Sequence, residues 1–180
     1  HSLSMYVTEL LFGVVPESAC VTFNPSPHSF SHSFSHSFSH SFSQNNDITR
    51  LDGLTGIESL ESLHMSRNRL LSLSGLEPAP GLQFLDVSHN QVNDVEASAV
   101  GDAPNLTAAL LNHNLLSVLP VPTRLPRLTA LDVSSNHLES LANVAQYDSL
   151  HALVASRNAV AVGPAKAYGE AQELKVLCVD

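Results

Sequence analysis

Six asparagines recur on a fixed beat along the last three quarters of the chain: Asn46, Asn68, Asn90, Asn114, Asn136 and Asn158, at steps of 22, 22, 24, 22 and 22 residues. Apolar or small residues stand eight, five and three positions before each of the last five, and all six have one two positions after. Around Asn90 these are Leu82, Leu85, Val87 and Val92; around Asn136 they are Leu128, Leu131, Val133 and Leu138. Such a repeat leaves little freedom in the fold. One unit cannot bury its own apolar side, so successive units have to stack into a one-dimensional array.

The period-two spacing of Leu85 and Val87, or Leu131 and Val133, puts both side chains on one face of a short strand. Strands are expected near 63–65, 85–87, 109–111, 131–133, 153–155 and 177–179, paired in parallel as six rungs. The asparagine belongs to the turn that leaves each strand, where inward-facing amides and carbonyls lack sheet partners. A side chain with both a donor and an acceptor can satisfy them and link neighbouring turns. In this register Asn112, two before Asn114, faces solvent. Past each asparagine the apolar residues come three apart, as in Leu138, Leu141, Val144, Tyr147 and Leu150. That spacing suits short 3₁₀ or irregular turns on the outer side. After Asn90 and Asn158 the outer segment instead places an apolar residue ten positions on, and Ala165–Glu173 is expected to form a helical turn or two.

The pattern L-x-x-L-x-L-x-x-N-x-L over residues 46 to 180 resembles the leucine-rich repeat family. The resemblance implies an α/β repeat solenoid: a right-handed horseshoe with a parallel concave sheet and an irregular or 3₁₀ convex side. The 22-residue copies resemble the subclass seen in the regulatory subunit of type-one protein phosphatase and in tubulin-folding, axonemal dynein and centrosomal proteins. By that analogy the chain is a cytoplasmic adaptor, of the cytoskeleton or cilium among other places, and its partner is a phosphatase, a tubulin or dynein component, or a centrosomal protein. The alternative is an extracellular or bacterial surface module that recognises a ligand or host protein. The chain begins at His1 and ends part-way through a repeat, so a fragment truncated at its C-terminus is expected.

The formal net charge is −9, and all eight Lys and Arg fall within the repeats with no basic patch. Nucleic acid and anionic membrane are therefore poor partners, and no apolar run is long enough to span a bilayer. Only Cys20 and Cys178 occur. No catalytic motif and no cofactor-binding motif is present, so neither an enzyme nor a cofactor is expected. Residues 1–43 differ in kind from 44–180. Positions 28–43 read His-Ser-Phe-Ser four times, a low-complexity tract unable to build a packed core, or translated non-coding repeat. His28, His32, His36 and His40 are spaced four apart, but serine and phenylalanine between them disfavour the helix that would gather them around a metal.

The candidate site is the set of side chains on the strands' concave face. Four positions before each asparagine stand His64, Asp86, Leu110, Asp132, Val154 and Cys178; six before stand Ser62, Phe84, Ala108, Ala130, Ala152 and Val176. Immediately before it stand Arg67, His89, His113, Ser135 and Arg157. Phe84, Leu110 and Val154 are expected to be exposed there, and an exposed apolar group marks an interface. The partner-binding set is therefore His64, Phe84, Asp86, His89, Leu110, His113, Asp132, Val154 and Arg157, with Phe84 and Leu110 as anchors. His89 and His113 fall on adjacent rungs, where two imidazolium groups would repel.

Overall fold

A computed structural model describes residues 40–42, 44–51, 60–74, 76, 80–93, 103–120, 125–160 and 176–178. Among these residues seven strands occur, β1 (His40–Phe42), β2 (Ser62–His64), β3 (Phe84–Asp86), β4 (Ala108–Leu110), β5 (Ala130–Asp132), β6 (Ala152–Val154) and β7 (Val176–Cys178). They form one sheet in chain order, and every neighbouring pair is parallel. The fold is the leucine-rich-repeat solenoid.

Six of the strands lie where the leucine spacing puts them, and β1 adds a seventh rung. It falls inside the His-Ser-Phe-Ser tandem, with Ser41 in register with Leu63. The sheet thus begins before residue 44, at a rung whose central position carries serine instead of leucine. Residues 1–39, the outer segment 161–175 and Cys20 lie outside the described residues, as do the metal and helical-turn expectations attached to them.

The core runs unbroken through the stack. Leu63, Leu85, Ala109, Leu131 and Leu153 fill one row beneath the sheet, and Met65, Val87, Leu111, Val133 and Ala155 the next, all buried. On the convex side the spacing of three is realised as i→i−3 backbone bonds: Leu76 to Leu73, Leu106 to Ala103, Leu128 to Leu125 and Val144 to Leu141. A 3₁₀ helix covers Ala142–Gln146 and buries Val144. Tyr147 is buried next to it and its hydroxyl donates to the Pro120 carbonyl. Burial raises that phenol well above its ordinary pKa.

The asparagines form the expected ladder. Asn136 Oδ1 accepts the Leu116 amide at 3.0 Å. Its Nδ2 donates to Leu111 O at 3.0 Å, one rung back, and to Val133 O at 2.9 Å and Ser134 O at 3.2 Å in its own turn. Asn90, Asn114 and Asn158 repeat this set. Asn68 likewise accepts the Ile48 amide and donates to Met65 O and Ser66 O.

The register of Asn112 needs correction, because it is buried rather than solvent-facing. Its position is shared by Ser66 and Ser88, which are also buried. The chain has already begun to turn inward there, since the Asn112 carbonyl accepts from His89 of the preceding rung.

That turn relies on an unusual backbone. Asn45, Arg67, His89, His113, Ser135 and Arg157, each directly before a ladder asparagine, have φ between 54° and 56°. The left-handed region is disfavoured for residues with a Cβ. It is held by a bond between rungs: the amides of Asn45, Arg67, His89, His113 and Ser135 donate to carbonyls of Ser66, Ser88, Asn112, Ser134 and Ser156.

Candidate functional site

Alternation along each three-residue strand leaves its first and third side chains on the concave face. Pairing aligns them into two rows. One runs Ser62, Phe84, Ala108, Ala130, Ala152; the other runs His64, Asp86, Leu110, Asp132, Val154. The structure therefore brings the sequence-predicted site residues together, but not all at the surface.

Phe84 is only 6% exposed, contrary to the expectation of a free anchor. It forms a second cluster with Ala108 and Ala130, against which Leu110 and Ala152 pack. The small alanines leave room for the phenyl ring to pack along the concave face. The His64 ring approaches Phe84 from the neighbouring rung, at 4.8 Å between centroids and 42° between planes. Val154, expected to be exposed, is 4% exposed. Leu110 is half-buried, as are His64 and Asp86.

The two aspartates have local duties the sequence reading missed. Asp86 Oδ1 accepts the Ser88 amide at 3.0 Å. Asp132 Oδ1 accepts the Ser134 amide at 2.9 Å and its hydroxyl at 2.7 Å. Both are side-chain-to-backbone bonds to the residue two positions on, as Asp commonly makes in turns. The signal was present as Asp86-Val87-Ser88 and Asp132-Val133-Ser134. Their surroundings differ. Asp132 is 1% exposed, between Leu110 and Val154 on the flanking rungs, and its Oδ2 has no hydrogen-bond partner. A buried polar atom left unpaired costs about 1–3 kcal/mol.

Beside these rows runs the rim of left-handed residues, with Arg67, His89, His113 and Arg157 exposed and Ser135 half-buried. The rings of His89 and His113 stack at 4.2 Å between centroids and 10° between planes. Partial desolvation of its ring depresses the His89 pKa below its ordinary value of 6.5, helped by His113 and Arg67, while Asp86 opposes the shift. Among the described residues no group of three or more His, Cys, Asp or Glu is placed to hold a metal ion. Nor is any helix there long and apolar enough to cross a membrane. Leu71, Leu115 and Val118 are exposed away from the strand rows, and the repeat pattern gave no sign of them.

Comparison with known proteins agrees with this architecture. Residues 80–138 match the leucine rich repeat family. The leucine-rich repeat and fibronectin type-III domain-containing protein 4 of Rattus norvegicus is 41% identical over 63 residues, 34% of this chain and 10% of that protein. Toll-like receptor 2 of Homo sapiens is 32% identical over 96 residues, 53% of this chain and 12% of the receptor. The chain thus spans about a tenth of the length of these relatives. Among solved structures, a leucine-rich-repeat protein of Leptospira interrogans superposes with a TM-score of 0.71 at 22% identity, covering 79% of this chain and 37% of that one. At that identity the likeness is one of fold.

Proposed function

We propose that this chain is a protein-interaction scaffold that holds a partner against the concave face of its sheet. Proteins built of leucine-rich repeats generally mediate protein–protein interaction, and fold alone does not choose the surface. The observation that carries the concave reading is the set of side chains left at that surface. Half-buried His64, Asp86 and Leu110 lie on adjacent rungs, with the exposed His89 and His113 following two of those strands and Arg157 two rungs further along. Apolar, acidic and basic groups thus stand in fixed register over a floor closed by Phe84. The adaptor subclass, a cytoplasmic, cytoskeletal or ciliary setting, and a phosphatase, tubulin, dynein or centrosomal partner belong to this proposal, supported by the 22-residue steps.

Recognition of a ligand protein outside the cell is the second reading, and the match to Toll-like receptor 2 over half the chain favours it. Imaging the tagged full-length protein in its own cells separates the two.

The concave reading is tested by affinity capture with wild type, Leu110→Glu and Glu139→Ala, the last an exposed position off the strand rows. Leu110→Glu is expected to weaken partner capture at least tenfold, about 1.4 kcal/mol, while remaining folded by circular dichroism, with Glu139→Ala behaving as wild type. Equal recovery by all three folded proteins refutes it.

A further inference from the structure

We propose that the buried carboxyl group of Asp132 is a seat for one lysine side chain of a partner protein. The inference rests on the concave-face reading and names the chemistry of its central contact.

Asp132 needs only one of its two carboxylate oxygens for the turn that follows it. The same position is Leu110 one rung before and Val154 one rung after. Yet the carboxyl group is buried, one oxygen is occupied twice by Ser134, and Oδ2 is unpaired. Asp86, which makes the same bond to Ser88, is half-buried instead. A buried acceptor without a donor, where an apolar residue would fit, breaks a rule that proteins break mainly at functional positions.

The free oxygen selects its donor. With Oδ1 already accepting two hydrogen bonds, the two-pronged arrangement that favours a guanidinium is not on offer. A single ammonium needs only Oδ2. Leu110 and Val154 flank it on the neighbouring rungs and suit the methylene stem of a lysine. Leu110 is the half-buried one of the two, so entry is on its side. The chain's net charge of −9 draws a basic partner in.

The test selects short randomised peptides by display against the full chain, then measures each selected peptide on wild type, Asp132→Asn and Leu110→Glu. Asp132→Asn keeps the acceptor for Ser134 and removes the charge. The proposal expects peptides sharing one lysine, whose acetylation or replacement by arginine weakens binding at least tenfold, with a loss of at least tenfold on Asp132→Asn. Peptides indifferent to Asp132→Asn but lost on Leu110→Glu overturn the lysine seat and leave the concave reading standing. Peptides indifferent to both overturn both. Equal binding of the lysine and arginine forms also overturns the seat. Should Asp132→Asn fail to fold by circular dichroism, the lysine, acetyl-lysine and arginine forms of each selected peptide on the unaltered chain decide: a loss of at least tenfold for the last two supports the seat, and equal binding overturns it.

Discussion

Replacing Asn136 by alanine is expected to remove more stability than any conservative surface change. The asparagine is buried, and so is Leu116, whose amide it receives. In the alanine variant that amide has lost its acceptor, and the carbonyls of Leu111 and Val133 have lost a donor. An orphaned buried group costs about 1–3 kcal/mol. Only the amide is orphaned, at about 2 kcal/mol; Leu111 O keeps Asn114 Nδ2 and Val133 O keeps Asn158 Nδ2 as donors, so the weakened carbonyls add about 1 kcal/mol together. The sum is about 3 kcal/mol. For a chain of this size each kilocalorie moves the melting midpoint by roughly 2–4 °C, giving a fall of roughly 6–12 °C.

Asn158→Ala supplies the internal scale. Asn158 makes the same four bonds but is half-buried, so water can replace part of what is lost. Its cost is expected to be about half that of Asn136→Ala. Urea unfolding followed by circular dichroism at fixed pH measures both. A loss below about 1 kcal/mol at Asn136, or equal losses at the two sites, would refute the argument that unsatisfied buried backbone sets the cost.

Phe84→Ala is expected to lower stability by about 3 kcal/mol, the low end for a buried phenylalanine because its cluster is small; an unchanged urea midpoint would return Phe84 to the surface. At Ser135 the left-handed backbone favours asparagine, so Ser135→Asn is expected to stabilise by about 0.5 kcal/mol and Ser135→Val to destabilise by about 1–2 kcal/mol. Opposite signs in the same unfolding assay would contradict the backbone reading. The depressed pKa of His89 means that the unfolded chain binds more protons just below the ordinary value of 6.5. Stability is thus retained above that value and lost as pH falls through it towards the folded pKa. His89→Gln is expected to flatten this stretch of a melting-temperature profile, and an unaltered slope would discount the pair. Tyr147→Phe leaves the Pro120 carbonyl without its donor and is expected to cost about 1 kcal/mol, read from the thermal midpoint.

The strands, the core rows and the asparagine ladder were legible because each rests on side chains that recur at fixed spacing. Strand β1 was not, since Ser41 occupies the place of Leu63 and the tandem, with a phenylalanine every fourth residue, lacks the leucine spacing of the later repeats. Its pairing with β2 is a matter of backbone hydrogen bonds, which any residue but proline supplies. Asn112 misled because strand alternation was extended two residues into a turn that had already rotated inward. The left-handed column had no glycine to announce it. Arginine, histidine and serine hold that conformation through bonds to the next rung, and these exist only once the array is stacked. Phe84 was placed on the correct face and given the wrong exposure. Alternation assigns a side chain to a face, whereas its burial depends on Ala108 and Ala130, 24 and 46 residues further along the chain.

The concave face is therefore less a free surface than its sequence suggests, and this bears on how recognition can be measured there. Phe84 and Val154 are taken up by packing, while Asp86 and Asp132 each hold a serine amide in the turn after the strand. Truncating any of them changes the fold and the surface together, so a loss of binding on alanine substitution would say little about contact. Side chains that reach solvent without such duties in the turn, Leu110 within the row and Arg67 on the rim, are cleaner reporters. At the aspartates the informative change is to asparagine, which keeps the acceptor that the turn requires and removes only the charge that a partner would read. Whether these residues serve the array or its partner can be separated only where the substitution leaves the turn bonded.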